Sequence, residues 1–78
     1  MPRYFFNVYD GHSAMDTDGT ALPDRKSARQ EAIHLMGDIL RSEGDKLLPD
    51  RAWRIEVADA NGLVLFKLEL SATDTQAA

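Results

Sequence analysis

Hydrophobic and polar residues alternate near both ends of the chain and follow a helical spacing between them. Residues 3–9 (RYFFNVY) are rich in aromatic and β-branched side chains, and residues 53–59 and 63–70 alternate apolar with polar positions. This composition and the period of two predict three β-strands. Residues 13–16 are short and weakly patterned, so we expect a poor additional strand that pairs back on the first.

The middle of the chain predicts one amphipathic helix from Arg25 to Glu43. Asp24 precedes it as a favoured N-cap, because its carboxylate can accept hydrogen bonds from the amides of the first turn. The stripe that should face the core consists of Ala28, Ala32, Leu35, Met36 and Ile39, with Ile33 and Leu40 at its margins. Gly44 follows the last turn, where we expect it to end the helix in the left-handed conformation.

Asn61-Gly62 is the strongest hairpin signal in the chain. A two-residue turn there sets the apolar rows of the two strands opposite each other. It also opposes unlike charges twice, namely Glu56 with Lys67 and Arg54 with Glu69. We reject a three-residue turn, because it would place the apolar row of one strand beside the charged row of the other.

These elements predict an α+β fold of ββαββ layout, an antiparallel sheet of three to four strands with one amphipathic helix packed on one face. Residues 1–71 form a single domain, and residues 72–78 form a frayed tail. The first and last strands are apolar on both faces, so we expect them to be central and adjacent. The predicted core is Phe6, Val8, Leu35, Met36, Ile39, Trp53, Ile55, Val57, Phe66 and Leu68, with Leu47 and Leu48 over one end.

Several short motifs resemble a family of short, uncharacterised bacterial proteins that begin with MPRYFF. They are Met1-Pro2-Arg3-Tyr4-Phe5-Phe6, Asp10-Gly11, Asp18-Gly19, Leu22-Pro23-Asp24, Ala28-Arg29-x-Glu31-Ala32, Ile55-Glu56-Val57 and Asn61-Gly62. The family is a domain of unknown function, so the resemblance implies the fold and the size but no activity. Members of the family often carry histidine at the position of Asn7. This chain lacks that histidine, so the resemblance transfers no role for it.

Charge and composition narrow the classes of function. The net charge of −4 argues against a nucleic-acid partner, since phosphate contacts need clustered Lys and Arg. The chain has no cysteine, and no apolar run approaches the roughly 20 residues that span a bilayer. We therefore expect a cytoplasmic protein without membrane contact. A core built from 78 residues is small, which favours self-association.

One helix covers one sheet face, so the opposite face is left open to solvent or to a partner. The interaction surface that we predict on it consists of Phe5, Tyr9, Arg54, Leu65 and Lys67. The leading hypothesis is a small non-enzymatic interaction module. It self-associates or binds a protein partner through this open face or through the sheet edge that the weak second strand leaves open.

Two other functions stay open at this stage. The aromatic strand could stack single-stranded nucleic acid. The polar segment from Asp10 to Asp18 could form a small enzymatic or metal site, although its Asp, Gly and Ser residues are also ordinary turn formers. We assign no catalytic, cofactor or metal residue. His34 and Asp38 lie one helical turn apart on the solvated face, where they suit a surface ion pair.

Overall fold

The computed structural model describes residues 1–47 and 51–76. In chain order its elements are β1 (Arg3–Tyr9), β2 (Ser13–Ala14), β3 (Thr20–Ala21), α1 (Arg25–Glu43), a 3₁₀ turn (Gly44–Lys46), β4 (Ala52–Ala58) and β5 (Val64–Ser71). The predicted α+β class is confirmed: an antiparallel sheet carries one helix. Within the described residues the sheet has five strands instead of the predicted three to four, because β3 forms a second short strand beside β1.

The strand order is β2-β1-β4-β5, with β3 also pairing with β1. β4 lies between β1 and β5, so the expectation that the first and last strands are adjacent is wrong. It rested on counting Leu65 as an apolar residue of the open face. In the structure Leu65 packs against the core cluster on the helix side, and β4, whose Trp53, Ile55 and Val57 are buried, takes the central place.

The hairpin joins β4 and β5 in the predicted register, with Glu56 opposite Lys67 and Val57 opposite Phe66. The predicted two-residue turn is wrong. The amide of Gly62 donates to the Asp59 carbonyl at 3.0 Å, and the Asp59 amide donates to the Leu63 carbonyl at 3.0 Å, which closes a loop of residues 60–62. Gly62 has a φ of 83°, as the last residue of such a three-residue loop requires.

A β-bulge reconciles the longer loop with the predicted register. Ala58 pairs with Val64 while Val57 pairs with Phe66, so Leu65 is the extra residue on its strand. A bulge shifts the pairing by one residue and locally turns the side chains. The three-residue loop and the bulge therefore cancel, and the rows of charged and apolar residues meet as the pattern of the two strands demands.

The helix begins and ends at the predicted residues. The Asp24 carboxylate accepts the Ser27 amide at 2.8 Å, which confirms the N-cap. Gly44 has a φ of −59° and continues into the 3₁₀ turn, so the predicted left-handed termination is wrong. The amide of Gly44 donates to the Leu40 carbonyl as the last α-helical bond, and the Leu47 amide donates to the Gly44 carbonyl at 3.1 Å within the 3₁₀ turn.

The core lies between the helix and the sheet and contains every residue predicted for it. Its buried members are Tyr4, Phe6, Ala28, Ala32, Met36, Trp53, Ile55 and Val57, with Val8, Leu35, Ile39, Phe66 and Leu68 partly buried against them. Leu47 also packs on this cluster, while Leu48 and the end of the predicted tail lie outside the described residues. No helix in the described part of the chain is long and apolar enough to cross a membrane.

Candidate interaction surface

The open face of the sheet carries charged side chains in an alternating pattern around one aromatic ring. Arg54 lies opposite Tyr9 on one side and opposite Glu69 on the other, and Glu56 lies opposite Lys67. The Arg54 guanidinium stacks 3.9 Å from the centre of the Tyr9 ring, a cation–π contact. Its Nε lies 2.8 Å from a carboxylate oxygen of Glu56, and this hydrogen bond raises the pKa of Arg54.

A loop covers the other half of this face. The hydroxyl of Tyr9 approaches the sulfur of Met15 at 3.5 Å, and the amide of Asp16 donates to the Asn7 side-chain oxygen at 3.0 Å. Asn7 is consequently only 8% exposed. Gly19 sits against the ring of Phe5, where an added Cβ would come within 2.9 Å of a ring carbon. The loop therefore covers part of the open face, where Met15 and Asp16 line a shallow cavity with Phe5 and Ala58.

The predicted surface is thus not one contiguous patch. Phe5, Tyr9, Arg54 and Lys67 lie on the open face, but the bulge places Leu65 on the helix side. There it lines a cavity of about 50 Å³ with Tyr4, Arg25, Ala28, Arg29, Val57 and Phe66. Arg54 covers one face of the Tyr9 ring, which removes that face from stacking with a base.

The two edges of the sheet differ sharply. The outer edge of β1 is closed by β2 at one end and β3 at the other. Between them the Asp16 carboxylate accepts the Phe6 amide at 3.1 Å and so fills the gap in the ladder. At the opposite edge β5 pairs with β4 only, and among residues 1–47 and 51–76 no strand pairs with its outer side.

A comparison with known protein families matches residues 3–71 to a domain of unknown function, DUF6894. The chain belongs to this family. The match runs from the first residue of β1 to the last residue of β5, and it confirms the resemblance to a family of unknown function. No curated protein and no solved structure matches the chain.

The polar loop of this DUF6894 domain has a structural use. The Asp16 carboxylate accepts the amides of Phe6, Asp18 and Gly19 at 3.0–3.1 Å. The Gly19 amide makes the largest contribution to a lowered pKa of Asp16, against the effect of burial. Arg3 Nη1 donates to the carbonyls of Asp18 and Gly19 and ties the loop to β1. Three backbone amides therefore bond to this carboxylate and fix it against β1.

The remaining polar candidates of the DUF6894 domain lie on its surface. Asp38 pairs with Arg41 one turn away, and His34 is exposed. Within the described ranges, no three His, Cys, Asp or Glu side chains are placed to hold a metal ion. Sequence reasoning missed β3, which has only two residues. It also missed the role of Asp16, since the carboxylate accepts an amide that lies ten residues away in the chain. The sequence predicted an open edge beside the weak second strand, which is wrong: β2, β3 and Asp16 close that side, and the unpaired edge is that of β5.

Proposed function

We propose that this chain is a non-enzymatic protein-interaction module, expected in the cytoplasm, that binds a partner by adding a strand at the outer edge of β5. The observation that carries the proposal is the difference between the two edges. Two short strands and the Asp16 carboxylate close the β1 edge, whereas the eight residues of β5 have no strand on their outer side among the residues described. An unpaired strand is a template for another strand.

The edge offers both affinity and selectivity. The amides and carbonyls of β5 that do not bond to β4 supply main-chain hydrogen bonds to an added strand. On the helix side, Phe66, Leu68 and Leu70 are only partly buried. On the open face, Lys67 and Glu69 alternate with them and are exposed. A partner strand that alternates apolar and charged residues would bury the three apolar side chains and neutralise Lys67 and Glu69.

The edge serves this function better than the open face. Leu65 is absent from that face, Asn7 is covered by the loop around Met15 and Asp16, and Arg54 is already engaged by both Tyr9 and Glu56. The groups around the Tyr9 ring are therefore already engaged with each other, whereas Lys67 and Glu69 lie on β5 beside its outer edge. Displacing those contacts would weaken binding, while strand addition at β5 leaves them in place.

Site-specific photo-cross-linking in living cells tests the proposal. A benzophenone amino acid replaces Ser71 at the end of β5 or, as the matched control, Ser13 on the opposite edge; both serines are exposed. We expect the Ser71 position to capture a polypeptide, with the cross-links mapping to one extended segment of it. Capture of nothing beyond what the Ser13 position captures contradicts strand addition at β5.

A further inference from the structure

We propose that the partner at the β5 edge is a second copy of this chain, paired antiparallel so that Leu68 of one copy lies opposite Leu68 of the other. The inference rests on the proposed function, because it names the occupant of the same edge. It is carried by the symmetry of the sequence of β5, by the state of its side chains and by the helix that lies above them.

The regular part of β5 is self-complementary. It consists of five residues, Phe66–Leu70 (FKLEL), between the bulge at Leu65 and the last strand residue. An antiparallel copy centred on Leu68 sets Lys67 opposite Glu69 twice on the open face. It sets Phe66 opposite Leu70 twice on the helix side, with Leu68 against itself. Directly opposite residues of antiparallel strands share a face and interact, so every pair in this register is favourable.

The neighbouring registers lack this match. A shift that centres the pair on Lys67 opposes two ammonium groups, and a shift that centres it on Glu69 opposes two carboxylates; like charges directly opposite are destabilising. A shift by one residue sets the partly buried row of one copy against the exposed charged row of the other. The charge pattern therefore selects the register centred on Leu68.

The helix adds a second apolar contribution on the same side. Arg25 and Arg29 line the small cavity with Leu65 and Phe66, which places this flank of α1 over β5. Ile33 follows Arg29 by one helical turn on that flank and is 54% exposed. In the proposed pairing the helices of both copies lie on the same face of one continuous sheet, with these flanks towards each other. Ile33 and the partly buried residues of β5 would then be covered.

Reciprocal charge reversal tests the second copy and its register together. Lys67→Glu alone opposes two carboxylates at both charged positions, and Glu69→Lys alone opposes two ammonium groups. Each variant should weaken self-association roughly tenfold. Mixed in equal amounts, the variants oppose unlike charges at both positions and should restore the wild-type affinity. Sedimentation equilibrium at several concentrations measures all four samples.

The mixture is also the control for folding. Lys67 and Glu69 face Glu56 and Arg54 within one chain, and each variant carries the same intramolecular loss alone and in the mixture. Circular dichroism confirms that each variant folds. Should either unfold, Ile33→Lys replaces it, because the side chain is exposed in the single chain and should lower self-association without changing the spectrum.

The outcomes separate this inference from the proposed function. A wild-type chain that is monomeric at high micromolar concentration overturns the second copy, and cross-links from Ser71 to a different polypeptide then still support strand addition. A wild-type dimer that neither charge variant weakens overturns the pairing at β5. Weakened variants whose mixture does not recover overturn the register centred on Leu68.

Discussion

The carboxylate of Asp16 accepts the backbone amide of Phe6 at 3.1 Å and takes the place of a strand carbonyl at the edge of β1. The need for it follows from the pairing on either side. Ala14 lies opposite Val8 and Thr20 lies opposite Tyr4, so six steps along the outer segment match four along β1. The two extra residues of the outer segment form a loop, and the Asp16 side chain bridges the gap between β2 and β3. The edge is therefore closed where a continuous strand would otherwise be required.

Removing this carboxylate should open the edge. Asp16→Ala should lower the free energy of unfolding by about 1–3 kcal/mol, because it leaves the Phe6 amide and the loop amides without their acceptor. Urea denaturation monitored by circular dichroism measures the change. Asp18→Ala is the matched control, since its carboxylate makes none of these bonds, and its effect should stay within about 0.5 kcal/mol. Equal losses in the two variants would show that Asp16 acts only as a loop residue.

The same bonds make stability depend on pH. The amides of Gly19, Phe6 and Asp18 hold the pKa of Asp16 below its ordinary value of 3.8. Because the folded pKa is the lower one, the stabilisation is complete above the unfolded pKa and is lost as the pH falls through the folded pKa. The stability difference between the wild type and Asp16→Asn should thus be constant near neutral pH and shrink below about pH 4. A difference that does not change with acidification contradicts this role.

Two glycines offer a matched test of the loop's packing. Gly19 and Gly11 both have positive φ, 72° and 99°, but only Gly19 is crowded: an added Cβ would lie 2.7 Å from Arg3 Cγ and 3.0 Å from the Tyr4 carbonyl. Gly19→Ala should therefore destabilise the fold by about 1–3 kcal/mol more than Gly11→Ala, which adds backbone strain without a clash. Thermal and urea denaturation of both variants measure the difference. Similar losses would mean that the loop moves away from β1 freely.

The centre of the core is β4. Ile55 is fully buried between the helix and the neighbouring strands, so Ile55→Ala should lower the free energy of unfolding by about 2–5 kcal/mol. Leu63→Ala, at a position that is 62% exposed beside the hairpin loop, should change it by less than about 0.5 kcal/mol. Comparable effects in the two variants would place the core elsewhere.

The β4–β5 hairpin shows how far the sequence determines this fold. The register was predictable, because five successive pairs across the two strands favour it through apolar contact or opposite charge. The loop was not, since a two-residue turn and a three-residue loop followed by a one-residue bulge lead to the same register. One signal did favour the longer loop. The Asp59 carboxylate accepts the amides of Asn61 and Leu63, a use of aspartate typical of turns.

The errors about the candidate site have the same origin. Strict alternation assigns Leu65 to the open face, and the bulge moves it to the helix side. This one residue made the last strand look apolar on both faces, and it suggested both a central β5 and an aromatic patch continuous with it. Asp16 was hidden for another reason: its partner Phe6 is remote in sequence, and the spacing of a loop carries no signal for such a contact.

Cysteine cross-linking at Leu68 probes strand addition of a second copy at β5. The chain has no cysteine of its own, so a single introduced thiol reports one position. In the proposed pairing the two thiols of Leu68→Cys lie directly opposite each other, about 5 Å apart between Cβ atoms. Those of Leu70→Cys are separated by four residues along the strands, about 13 Å.

A thiol-reactive linker that spans about two strand residues, or 7 Å, should therefore join Leu68→Cys chains efficiently and Leu70→Cys chains poorly. Ser13→Cys, on the closed edge, measures random collision. Denaturing electrophoresis of samples treated at low micromolar concentration gives the cross-linked fraction. We expect a cross-linked dimer for Leu68→Cys well above both controls; yields that are equal at the three positions contradict strand addition of a second copy.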